Sequence, residues 1–597
     1  MANINGNSQN NTLIGTAFAD TIRGQAGDDY IDGGDGNDFL DGGNDNDTLR
    51  GGLGWDQLFG GSGNDRLNGG AGDDRIDGGA GSQDWADYDG GAAVSVDLTA
   101  GNATGQGFDA IYNIENVLGS SFNDTIKGNS FNNRLDGGDG NDTFIATLGF
   151  DIIRGDSGID LISFAQLGAG VLANLTVGSY SSGTATGTLT SIESVTGTAF
   201  ADQIVGDAGD NVIDGGIGSD VLDGGAGIDT LKLTANTSAP YNQGFFANLT
   251  TGVVTSYGST DTISNFENVI GSDASDYITG SAGNNVISSG AGTDVVYATQ
   301  GVDSYDGGAG AFDSVNFTGQ PGATANLATG TYSFDANNYG TMINMEHLTG
   351  GAGDDNLTGN AGANKIDGGA GNDTITGGLG NDQMWAGAGS DRLIADGGND
   401  ELSGNYSFQG FGDNASDIFE IRTTAGVVTI VDYEQGVDQV DLTAFNLGTS
   451  NYWTATGAQS SPYVTTLTLT GQNQEVVTVN LNGVPAAHTL TLNDFIGGTA
   501  SLIPPAPGYP INGGNGIADI FVILPQATGT IELLGFEDGL DRLDLTFLNQ
   551  PGWDGGQGGA SDGSTLFDFW NSTTGDLFHL HVAGVGFGLI TMPDIII

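Results

Sequence analysis

A nine-residue pattern, Gly-Gly-x-Gly-x-Asp-x-apolar-x, runs from Gly15 to Asp77 without slipping register, and it limits what this chain can fold into more than any other feature. Asp20, Asp29, Asp38, Asp47, Asp56, Asp65 and Asp74 fall nine apart, as do Ile22, Ile31, Leu40, Leu49, Leu58, Leu67 and Ile76. A fixed short period marks a solenoid. Positions one to six put glycine where the chain turns tightly at positive φ, and they expose carbonyls that no helix or ladder uses. Positions seven to nine predict a very short strand with its middle residue inward. Two units then make a coil of eighteen residues with a strand on each side, and coils stack at about 4.8 Å.

Stacking brings each position-six Asp close to its equivalents in the coils above and below. Two carboxylates about 5 Å apart repel by roughly 0.8 kcal/mol in water and by several times more at lower dielectric. Such a ladder needs a cation, and carboxylate plus carbonyl oxygens without His or Cys suit a hard divalent ion of calcium's size. The motif resembles that of RTX (repeats-in-toxin) calcium-binding β-roll proteins. That resemblance implies an all-β fold, a right-handed parallel β-roll or β-helix solenoid that folds when Ca2+ fills its turns. The expected metal residues are the seven aspartates above together with Asp124, Asp142, Asp151, Asp160, Asp202, Asp220, Asp229, Asp276, Asp294, Asp303, Asp355, Asp373, Asp382, Asp391 and Asp400. Asn replaces Asp at Asn11, Asn133, Asn211, Asn285 and Asn364, where a neutral amide predicts a weak or empty site.

A longer period lies over the short one. AVSVDLTAG, then NIENVLGSSFNDTI, recur in altered form so that Leu98, Leu175, Leu249 and Leu327 correspond, as do Glu115, Glu193, Glu267 and Glu346, about 77 residues apart. The expected organisation is a nonapeptide roll over 1–90 and four super-repeats at 91–163, 164–232, 233–315 and 316–411. Because 77 is not a multiple of eighteen, each super-repeat predicts an irregular coil bulging from the roll's side. The repeated Glu reads as a buried hydrogen bond fixing the turn before the next ladder, in preference to a catalytic acid. After Gly404 the longer strands with fewer Gly read as an antiparallel meander capping the roll. Module 412–501, a Pro-rich linker at 502–510 and a second module at 511–597 complete the chain, with Asp438, Asp441 and Leu442 matching Asp541, Asp544 and Leu545. Both copies resemble the C-terminal segment of RTX exoproteins. The terminal Asp594 to Ile597 resembles the uncleaved signal read by type I secretion machinery.

The chain of 597 residues carries 74 acidic against 12 basic residues, a formal net charge of −62. That excludes nucleic acid as a natural partner. There is no Cys, the first ten residues lack the pattern of a signal peptide, and no run approaches the length of a transmembrane helix. Calcium is scarce in the cytosol and plentiful outside, so an extracellular or cell-surface location follows. Gly155-Asp156-Ser157-Gly158 looks like a serine-nucleophile segment but occupies the start of a nonapeptide. Gly559 to Gly563 lacks the strand-turn-helix setting of a nucleophile elbow. His579 and His581 have no third metal ligand nearby, and no His-Glu-x-x-His is present. With repeats beginning near Met1, no room remains for the effector that RTX proteins usually carry. The expectation is a non-enzymatic, secreted structural protein that self-assembles as a layer or filament, similar in architecture to RTX surface-layer proteins. The alternative is an adhesin or polysaccharide binder using Tyr112, Tyr180, Tyr257 and Tyr332 on the bulges.

Overall fold

The computed structural model describes residues 2–234, 244–256, 258–405, 415–434 and 437–445, and beyond 452 little more than a set of strands. The chain divides into two units, Met1–Asp294 and Val295–Ile597.

In the first unit the nonapeptides alternate between two parallel sheets. Thr21–Ala26, Phe39–Asn44, Gln57–Ser62 and Arg75–Ala80 build one, and Thr12–Ile14, Tyr30–Asp35, Thr48–Leu53 and Arg66–Ala71 the other. Registers such as Ile22↔Leu40, Leu40↔Leu58 and Ile31↔Leu49 place every residue against its equivalent one coil on. The core is therefore a file of inward position-eight side chains, and Ile22, Ile31, Leu40, Leu49, Leu58, Leu67 and Ile76 are fully buried. The regular strands are six residues long where three were expected. The glycines of positions one and two join the ladder too, as in Gly34↔Gly52 and Gly43↔Gly61, because without side chains their backbones approach closely enough to pair.

The super-repeats do not bulge sideways as expected. Each instead inserts two antiparallel pairings into a parallel sheet. Phe108–Tyr112 pairs parallel with Arg75–Ala80, antiparallel with Asn102–Thr104, which pairs antiparallel with Ser95–Asp97, which rejoins the ladder against Thr125–Lys127. The same order recurs in Leu172–Asn174, Ser179–Ser182 and Ala185–Thr190, and in Phe246–Asn248, Val253–Ser256 and Ser259–Ser264. The first insertion lies in one sheet of the roll and the next two in the opposite sheet. The alternating sequence AVSVDLTAG makes this possible, since every second residue faces inward in either strand direction.

The second unit repeats this plan with Thr324–Asn326, Thr331–Ser333 and Tyr339–Ile343. Past Gly404 the expected antiparallel meander needs correcting. Ile418–Ile421 pairs parallel with Arg392–Ala395 and Gln439–Asp441, and Gly426–Ile430 pairs parallel with Asp400–Ser403 and Val476–Asn482. The solenoid continues, and the antiparallel meander of the first module is confined, among the described residues, to Trp453–Ser461, Val464–Gly471 and Val476–Asn482. Strand propensity does not encode direction; the partner does. The second copy repeats these pairings: Gly529–Leu534 runs parallel to Leu577–Val582, which is antiparallel to Thr565–Asn571, itself antiparallel to Trp553–Gly559. Leu502 to Tyr509, Asp541, Leu545, Asp594 and Ile597 lie outside the described residues, as do the side chains of His579 and His581. No described helix is long and apolar enough to cross a membrane.

Candidate metal centre

The position-six side chains form ladders along both edges of the roll. Each Asp offers Oδ1 to the backbone N–H of its equivalent one coil earlier: Asp38 to Asp20 at 2.7 Å, Asp56 to Asp38 at 2.7 Å, Asp74 to Asp56 at 2.8 Å, and on the opposite edge Asp47 to Asp29 and Asp65 to Asp47 at 2.8 Å. In the second unit Asp355, Asp373 and Asp391 are linked in the same way, as are Asp382 and Asp400. One carboxylate oxygen is thereby spent on holding coils together.

The other oxygen divides the turns into two kinds. In Asp29, Asp38, Asp47, Asp56, Asp65, Asp74, Asp142, Asp160, Asp220, Asp229, Asp373, Asp382 and Asp400, and also in Asp84, the buried Oδ2 has no hydrogen-bond partner. Apart from the Asp400 turn, all of these have positive φ at position two, usually glycine as in Gly34 (93°) and Gly52 (111°), but also Gln25 (84°) and Asp156 (67°). That conformation swings the position-two N–H away from the carboxylate. The space Oδ2 faces is lined by oxygen. A Cβ built on Gly368 would lie 2.5 Å from both Asp373 Oδ2 and the Ala386 carbonyl, and Cβ atoms built on Gly33 and Gly60 would lie 2.7 Å and 2.6 Å from the Gly51 and Gly78 carbonyls. A buried carboxylate oxygen left unpaired is costly, and carboxylate plus carbonyl is the donor set of Ca2+. These residues fit the ion. When bound it supplies the positive charge that the stacked acids lack.

Seven of the expected metal residues depart from this arrangement. Asp20, Asp124, Asp202, Asp276 and Asp355 accept the position-two N–H of their own turn at Oδ2. Asp151 and Asp303 face tyrosines: Tyr180 Oη donates to Asp151 Oδ2 at 3.3 Å, and Tyr305 and Tyr332 donate to Asp303 Oδ2 at 2.8 and 3.2 Å. A hydroxyl there does a cation's work of satisfying the oxygen. Asp294 and Asp391 join their ladders through Oδ1.

The repeated glutamates occupy position six at the end of one edge of the first four ladders. Oε2 of Glu115, Glu193, Glu267 and Glu346 accepts the N–H of Asp84, Asp160, Asp229 and Asp313 at 2.8–3.1 Å. One coil later an Asn completes the joint. The amides of Asn133, Asn285 and Asn364 donate to the carbonyls of Glu115, Glu267 and Glu346 at 2.6–2.8 Å, and Asn211 reaches Glu193 at 3.4 Å. Asp could not donate this bond. Beyond the weak or empty sites expected of them, these four asparagines join the coils, a role that the constant spacing of eighteen from Glu to Asn left open to view. Asp84, which a one-residue insertion still leaves at the motif position, also accepts a ladder bond, as do Asp109, Asp261, Asp417 and Asp438, which longer insertions displace from the period of nine and which were not expected.

Burial raises the carboxyls of Asp47, Asp56, Asp142, Asp220 and Asp373 to about 7; the ladder N–H opposes the rise and neighbouring carboxylates add to it. Without a cation, the folded state thus binds protons that the unfolded chain, with carboxyls near 3.8, has released. That contribution to stability is fully present below about pH 4 and is lost as pH rises through about 7. Metal-stripped protein is expected to hold its β-structure by far-UV circular dichroism at about pH 5 and to lose it towards about pH 8. With calcium present the loss should vanish. A calcium-free fold that strengthens as pH rises would show that these carboxylates are stabilised without an ion.

Of the other motifs, Gly155 to Ser157 lies within the strand Gly149–Ser157, in a turn of the ladder. Among the described residues no group of three or more His, Cys, Asp or Glu side chains gathers at one point. The oxygen-lined turns draw instead on one carboxylate and backbone carbonyls.

The RTX calcium-binding nonapeptide repeat (four copies) matches residues 5–40, 32–67, 50–82, 118–153, 196–231, 270–305, 349–384 and 376–405. The matched stretches are the ladders and omit the antiparallel insertions. Among solved structures the chain is similar to the AlgE6R3 subunit from the Azotobacter vinelandii mannuronan C5-epimerase, at 23% identity over 24% of this chain and 78% of that one, with a TM-score of 0.16. It is also similar to the extracellular lipase LipA from Serratia marcescens, at 16% identity over 40% of this chain and 44% of the lipase, with a TM-score of 0.12. It thus spans less than half of the lipase's length. No curated protein matches it. With the repeat matched within each ladder and parallel coils stacked beneath, the chain carries RTX calcium-binding nonapeptide repeats in a β-roll, and such repeats bind Ca2+.

Proposed function

We propose that this protein is a secreted, non-enzymatic structural protein that folds on meeting calcium outside the cell and assembles with copies of itself into a layer or filament. The observation that carries the reading is the run of open turns, each with a buried, unpartnered Oδ2 beside a carbonyl of the next coil. In low calcium a chain of net charge −62 repels itself and stays unfolded and export-competent. Outside, Ca2+ binds the folded state, and its binding energy adds to folding at each site. Export through type I secretion machinery fits the duplicated C-terminal modules, the second of which is free for attachment or assembly.

Self-contact is supported by large apolar side chains left in solvent on the turns. Phe18 and Phe131 are 70% and 71% exposed, and Phe122 and Phe200 hold the same position in other turns. The polysaccharide-binding alternative needed an exposed aromatic row. Tyr112 is exposed, but Tyr180 and Tyr332 are buried against Asp151 and Asp303, and Tyr257 lies outside the described residues. Calcium-free protein brought to a few millimolar calcium is expected to form sheets or filaments under negative-stain electron microscopy, and to release them on chelation. Particles that fold yet stay monomeric at high concentration would rule out self-assembly as the main function.

A further inference from the structure

Each ladder starts on a coil whose two turns close on themselves. On one edge the position-two N–H of Thr16, Ser120, Thr198, Ser272 and Gly351 donates at 2.5–2.7 Å to Oδ2 of the Asp four residues on. On the other edge Asn11, Asn133, Asn211, Asn285 and Asn364 accept the equivalent N–H at Oδ1, at 2.7–2.9 Å. None of these ten turns has positive φ at position two, whereas nearly all the open turns that follow do. Hydroxyls of Thr16, Ser120, Thr198 and Ser272 add a second donor to their Asp. An acid and an amide thus make the same bond on opposite edges of one coil. The bond requires an acceptor oxygen and no charge.

We infer that these five starter coils hold no cation, and that calcium fills the open turns beyond them as separate ladders, each built on a coil closed by hydrogen bonds. The inference rests on the reading that open turns bind calcium. It follows that the carboxylate stack is broken at every super-repeat: Glu115 ends one ladder by accepting from Asp84, and Asn133 grips the Glu115 carbonyl in a coil with no demand for an ion. An ion lost from one ladder then leaves its neighbours' starter coils intact.

The test compares two triple variants of the full-length protein by native mass spectrometry at saturating calcium and by calcium-driven refolding. Asp124→Asn, Asp202→Asn and Asp276→Asn keep the acceptor for the position-two N–H and remove the charge, but give up the second oxygen, which accepts the N–H of Val94, Val171 or Phe245. Asp47→Asn, Asp142→Asn and Asp220→Asn change open turns. The starter triple is expected to bind as many ions as the parent once folded; the Oδ1 bond lost from each turn raises its refolding midpoint, so the ion count decides. The open triple should bind fewer and refold at several-fold higher calcium, and its single variants preserve the comparison if the triple does not fold. A starter variant, triple or single, that folds in saturating calcium yet binds fewer ions than the parent overturns the inference. Open variants with an unchanged ion count would instead overturn the calcium-site reading beneath it.

Discussion

Moving the folded protein from millimolar calcium into calcium-free buffer at about pH 7.5 is expected to abolish its β-sheet signal, the largest single effect in this account. At that pH the raised carboxyls of the open turns are ionised, buried and stacked, with one oxygen of each left unpaired. The core compensates little, because each regular nonapeptide contributes one inward apolar side chain to a narrow file. Each ion present at about a hundred times its dissociation constant contributes roughly 2.7 kcal/mol. Sites of the extracellular kind, at about 0.1 to 1 mM, contribute less apiece, but the open turns are many. Their sum exceeds the margin of a typical domain, about 5–15 kcal/mol. Circular dichroism during a calcium titration should show a steep, reversible transition. A protein that keeps its sheet in chelator at this pH would deny calcium its role in folding.

The second large effect concerns glycine at position two. Gly52 has φ of 111°, and a Cβ there would run into the Gly34 carbonyl of the coil before it. Gly52→Ala combines left-handed strain of about 1–2 kcal/mol with overpacking of about 1–3 kcal/mol, and no soft side chain can yield. Gly91, whose Cβ would meet nothing within 4 Å, is the control. Thermal melts in saturating calcium should place Gly52→Ala well below the parent and Gly91→Ala within about 0.5 kcal/mol of it. Equal melting of the two variants would mean that the turns tolerate a side chain and do not stack as described.

Much of this was legible in the sequence because a solenoid repeats one local rule. The inward file from Ile22 to Ile76 and the aspartate ladder from Asp20 to Asp74 follow from the period of nine and needed no long-range information. What stayed hidden depends on partners distant in the chain. The turn at Asp151 looks like any other until Tyr180, 29 residues on, is folded against it. AVSVDLTAG reads as a strand, but whether it runs with or against its neighbour is settled only by pairing with Asn102–Thr104 and Thr125–Lys127. The Glu-to-Asn joint lies between these cases. Its spacing is plain, yet its meaning needs the donor that Asn has and Asp lacks.

Everything above turns on open turns holding calcium between stacked coils. A crystal structure determined in calcium tests it directly through anomalous density beside Asp38 and Asp373. The account predicts an ion in contact with Asp38 Oδ2 and the Gly51 carbonyl, and another with Asp373 Oδ2 and the Ala386 carbonyl. Open turns that carry no density at saturating calcium, with their carboxyls paired some other way, would contradict it.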